Sequence, residues 1–114
     1  MSDQPQFLKL INIECLATDD LTGNDELIGR FGDLAATDFR IGQFNPDPGN
    51  KVDLDIQKIV PVGITTLKII ERDLTGDDLV GTIDLSEMMS VENETTLKND
   101  AAEYILRHLV VEGD

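Results

Sequence analysis

Apolar residues in this chain recur at every second position, in short runs broken by turn formers, and that periodicity points to an all-β fold. Val52, Leu54 and Ile56 alternate with Lys51, Asp53, Asp55 and Gln57, and Ile11, Ile13 and Cys15 alternate with Asn12 and Glu14. Such spacing puts one face of a strand in a core and the other in water. Over 102–111, Tyr104, Leu106, His108 and Val110 share one side, with Ile105, Leu109, Val111 and Arg107 on the other. Further runs at 7–16, 27–31, 38–44, 65–70 and 79–85 bring the expectation to about seven or eight short strands. The clearest turn is Asn45-Pro46-Asp47-Pro48-Gly49-Asn50, where both prolines fix φ and Gly49 permits φ > 0. Residues 86–89 suit a single helical turn capped by Ser86, and the polar stretch from Ser90 onward reads as loop. The predicted architecture is an antiparallel β-sandwich, one domain over 1–114 with 1–6 as a flexible N-terminus.

One stretch occurs twice. Asp20-Leu21-Thr22-Gly23-Asn24-Asp25-Glu26-Leu27-Ile28-Gly29 returns, one residue shorter, as Asp73-Leu74-Thr75-Gly76-Asp77-Asp78-Leu79-Val80-Gly81. Each copy joins two apolar, β-branched runs, so each reads as an acidic loop between strands, an internal repeat of one loop design. Windows 19–26 and 71–78 hold Asp19, Asp20, Asp25, Glu26, Glu71, Asp73, Asp77 and Asp78 but a single base, Arg72. Like charges so concentrated repel, and a hard divalent cation with oxygen ligands relieves that repulsion. Calcium takes six to eight such ligands, more than one short loop supplies, so two neighbouring loops are expected to share the ion. These eight carboxylates are the candidate metal ligands and Ca2+ the candidate cofactor. The EF-hand pattern is absent from both loops, which implies a different calcium architecture. The competing reading is a metal-independent structural or protein-interaction module whose acidic loops are plain turns and confer solubility. Leu21 and Leu74 fall at matching loop tips and pack together on one reading or enter a membrane on the other.

Charge and composition exclude several classes. A net charge of −14 with nine scattered bases is wrong for nucleic-acid binding, which requires clustered Lys and Arg. The lone Cys15 and the lone His108 cannot build a closed zinc site, and no nucleophile–base set is present, so the chain is expected not to be an enzyme. Cys15 reads as a small core residue and His108 as a locally satisfied strand residue. No apolar run approaches the roughly 20 residues that span a bilayer, and no secretory signal opens the chain. The expected location is cytoplasmic, with signal-less export as the alternative.

The stretch from Leu67 to Ile83, with Glu71-Arg72-Asp73, Gly76, Asp77-Asp78 and the apolar pair before Gly81, resembles the third calcium loop of the C-two (C2) domain. Residues 17–25, with Asp19 and Asp25 six positions apart, are similar to that family's first loop. The resemblance implies a calcium-dependent phospholipid-binding module of the synaptotagmin and protein kinase C type. Its implied ligand set is Asp19, Asp25, Glu71, Asp73 and Asp78, and its implied partners are a membrane surface or a protein. Glu71 stands where the family has Asp, and no lysine-rich strand groove is visible. The stretch from Cys15 to Glu26 also resembles small bacterial β-sandwich modules.

Overall fold

The computed structural model describes residues 5–18, 25–44, 51–73, 76–85, 92–98 and 102–112. Among these, eight strands run β1 (Gln6–Thr18), β2 (Asp25–Phe31), β3 (Phe39–Phe44), β4 (Lys51–Val60), β5 (Thr66–Asp73), β6 (Gly76–Asp84), β7 (Asn93–Lys98) and β8 (Ala102–Glu112). A single 3-10 turn, Ala35–Thr37, sits between β2 and β3. The strands form two four-stranded sheets, ordered β4-β1-β8-β7 and β3-β2-β5-β6, with every pairing antiparallel. This is the expected β-sandwich.

The alternation read from the sequence selects the buried faces. Leu8, Leu10, Ile13 and Cys15 of β1 and Tyr104, Leu106 and Val110 of β8 meet Leu27, Phe31, Leu67, Ile69 and Ile83 of the facing sheet. Val52, Leu54 and Ile56 of β4 flank that core. β1 begins at Gln6, inside the stretch expected to be a tail, because Gln6 pairs with both Val60 and Glu112.

Two expectations are corrected. The polar run after Ser90 contains an edge strand, β7. It contributes one fully buried apolar residue, Leu97, so an edge position with one wet face concealed it from an apolar count. The second acidic loop is mostly strand: β5 continues through Asp73 and β6 starts at Gly76, whose φ of 143° suits glycine alone. The turn at 45–50 and the helical turn proposed for 86–89 lie outside the described residues.

Close approach also demands glycine at Gly29. A Cβ there would lie 2.4 Å from Phe39 Cζ, on a ring that packs against Phe31 at 5.7 Å and carries Lys58 Nζ 5.4 Å from its centroid. Gly29→Ala should therefore displace Phe39 and destabilise the fold by about 1–3 kcal/mol, read from urea denaturation.

His108 is wholly buried on the inner side of β8. Its Nε2 lies 2.8 Å from Thr95 Oγ1, and Nδ1 has no hydrogen-bond partner among the described residues. Burial pushes its pKa down to about 4. The unfolded chain thus binds a proton that the folded chain refuses between pH 6.5 and about 4, so stability falls as pH drops through that window. The contribution at stake is about 3 kcal/mol. Comparing wild type with His108→Leu by denaturation at pH 7 and pH 5 should show the larger loss in wild type.

Candidate functional site

The strand registers bring the two acidic stretches side by side at one end of the β3-β2-β5-β6 sheet. In β2 and β5, Glu26 pairs with Arg72 and Leu27 with Glu71. In β5 and β6, Glu71 pairs with Asp78, Arg72 with Asp77, and Asp73 with Gly76. Asp25 opens β2 opposite Phe44, so the strands bounding 45–50 reach the same end. The sequence offered 45–50 only as a turn, and that segment lies outside the described residues; that β3, which precedes it, ends beside the acidic strand ends is a product of the topology. Asp19 and Asp20 lie outside the described residues, and Asp25 and Asp73 are placed by their backbones.

Two cross-strand rows result, on opposite sides of the sheet. Leu27 is fully buried in the core, so its row, Leu27–Glu71–Asp78, belongs to the inner side; Glu71 is 8% exposed and Asp78 is exposed. The neighbouring row, Glu26–Arg72–Asp77, therefore belongs to the outer side. A bulge sets this phase. The β5–β6 register shifts between Ile69 and Ile70, leaving Val80 turned into the core. Without the shift, Arg72 would stand opposite Asp78 and Glu71 opposite Leu79. Among the described residues, no three His, Cys, Asp or Glu side chains converge as a metal-holding group.

On the outer side an ionic chain runs through Arg72, the single base of the two acidic windows. Arg30 donates to Asp38 through Nε and Nη2, at 2.7 and 2.8 Å. Arg72 reaches the same carboxylate at 3.3 Å and Asp77 Oδ1 at 3.4 Å. The hydrogen bond from Arg30, aided by the charge of both arginines, holds the Asp38 carboxyl below the usual carboxylate range. Lys68 pairs with Asp33 on the same β2–β3 connection. Arg40 stands exposed beside Ile28. Four bases thus share one face, although the first and the last, Arg30 and Arg72, are 42 positions apart in sequence.

Ile28 and Ile70, paired in register on that face, are 2% and 4% exposed yet lie outside the core cluster. The methylene stems of the surrounding long side chains exclude water from them. Asp38 anchors this layer with a side chain 19% exposed, so Asp38→Asn should cost roughly 1–2 kcal/mol in urea denaturation. The loss should shrink as pH falls through the carboxylate range, because protonation disables the native pair as well.

No family model matches the sequence, and no curated protein matches it. Solved structures do. A structure of the two C2 domains of extended synaptotagmin 2 superimposes with a TM-score of 0.59 at 15% identity, covering 98% of this chain and 42% of that one. A calcium-bound structure of the same domains gives 0.56 at 16% identity, covering 96% and 46%. Human GIVD cytosolic phospholipase A2 gives 0.61 at 15% identity over the whole of this chain and 17% of the enzyme. The plant extended synaptotagmin 1 C2 domain gives 0.52 at 11% identity, covering 97% and 96%. The chain therefore spans less than half of the first two proteins and nearly all of the isolated plant domain. The likeness is one of fold: the chain has the C2-like β-sandwich.

Proposed function

We propose that this chain is a non-catalytic, calcium-responsive C2-type module whose acidic end binds Ca2+ and then engages a membrane surface or a protein partner. The observation that carries the reading is the register of β2, β5 and β6, which sets Glu71 beside Asp78 and brings Asp25 and Glu26 of the first acidic stretch to the same end of a C2-like fold. Glu71 and Asp78 supply the described ligands, Asp25 and Asp73 stand at adjacent strand ends, and Asp19 and Asp20 come from the connection between β1 and β2. Asp77 acts instead as a counter-charge to Arg72, with Glu26 in the same outer row. Bound calcium would offset several negative charges and retain coordination positions for a phosphate or carboxylate oxygen. The calcium-bound extended synaptotagmin 2 among the structural neighbours supports the choice of ion. A cytoplasmic location suits a response to changing calcium.

The metal-independent reading has its own support, since the Arg72–Asp77 pair already relieves part of the repulsion. A thermal-shift experiment separates the two. Calcium at a hundredfold excess over its Kd should stabilise the fold by about 2.7 kcal/mol, a clear rise in Tm, and Asp78→Asn should remove most of that rise. Asp77→Asn should keep it. A Tm indifferent to millimolar calcium would leave the metal-independent module as the function.

A further inference from the structure

The β4-β1-β8-β7 sheet presents its outer side as rows set by register. At the end remote from the acidic strand termini, Ile59, Phe7 and Val111 stand abreast, and Leu109 follows beside Lys9. Ile59 is 62% exposed, and the other three are partly exposed and lie outside the core cluster. A strand apolar on both sides, as β1 and β8 are in this half, is the pattern of a strand covered on both sides.

Charge on this face differs from charge on the chain. Lys9, Lys51, Lys98 and Arg107 stand against Glu14, Asp53, Asp55, Glu94 and Glu103, a balance of −1 on a chain of −14. Opposite signs sit side by side in register: Glu14 beside Lys51, Arg107 beside Glu94, and Glu103 beside Lys98. A strongly basic or strongly acidic partner would find no complementary field here, whereas a copy of the same mixed surface would. Four strands at about 4.8 Å spacing, each with about ten residues rising roughly 3.3 Å, give roughly 600 Å² per copy. Two copies would bury about 1,200 Å², the lower bound of a specific interface.

We propose that this face is a self-association surface on which a second copy of the chain stacks sheet to sheet about a two-fold axis. The apolar row of each copy is covered by the other, and the mixed rows pair opposite signs in the isologous manner. Because the remaining charge of each copy is negative, salt strengthens the dimer by screening long-range repulsion, the reverse of an interface held by charge attraction.

Sedimentation velocity tests this with the full chain from about 10 μM to about 1 mM, at roughly 50 and 500 mM NaCl. Wild type should show a monomer–dimer equilibrium shifted toward dimer at the higher salt. Ile59→Asp should weaken it at least about tenfold in Kd, as expected for losing one buried aliphatic side chain. Ile59 is largely exposed in the single chain, so the variant should keep its thermal midpoint at micromolar concentration. Leu79→Asp, at an apolar residue 52% exposed on the other sheet, should leave the equilibrium unchanged. A monomer at every concentration and salt would overturn the proposal, as would equal weakening by both variants. Retention of the wild-type monomer on zwitterionic lipid vesicles, lost in Ile59→Asp, would assign the face to a membrane and overturn it too.

Discussion

A slip of one residue between β5 and its neighbours would turn Glu71 outward and Arg72 into the sandwich, so the acidic end depends on strand register. The buried partners fix it. Leu67 and Ile69 meet the core from β5 while Phe31 and Leu27 do so from β2, and a slip of one residue would turn one of these pairs out of it. The β6 side is held by a different device. Val80 is extra in the ladder, and its insertion exchanges the partners of Glu71 and Arg72 from Leu79 and Asp78 to Asp78 and Asp77. The apolar core thereby sorts charge: carboxylates with no base in their row lie inward, and those beside an arginine lie outward.

That sorting was only partly legible in the sequence. Alternation at Val52–Leu54–Ile56 and at Tyr104–Leu106–His108–Val110 marked the buried faces, because period-two burial follows directly from strand geometry. The pairing of the two acidic stretches rested on their likeness, and the topology supplied the adjacency. What stayed hidden has specific causes. β7 places Leu97 alone in the core and so carries almost no hydrophobic signal. Residues 71–73 are all charged and read as loop, yet the ladder partners Asp77 and Asp78 hold them in strand. The bulge at Val80 shifts phase beside Gly81, a glycine that the alternation alone does not read as a bulge. Arg30, Arg40, Lys68 and Arg72 come from three strands, so only the sheet order gathers them.

The fold also explains how a chain of −14 remains compact. All nine bases lie on strands. Four are on the outer side of each sheet, and Lys58 covers the Phe39 ring. Each outer face is therefore nearly balanced, with ion pairs such as Arg30–Asp38 on one and Arg107–Glu94 on the other. Among the described residues, Asp25, Glu71, Asp73 and Asp78 stand off those two faces, at the acidic strand ends.

This division of charge bears on how the molecule meets others. Two copies approaching end to end bring negative fields together, whereas two approaching face to face meet balanced surfaces. The field steers against the first encounter before any contact forms. A divalent cation at the acidic end would lower that barrier only there and leave the balanced faces as they were. The proposed cation site and the proposed self-association face therefore use different parts of the surface, and each can change without altering the contacts of the other. They stay linked only through long-range charge, a coupling that salt screens.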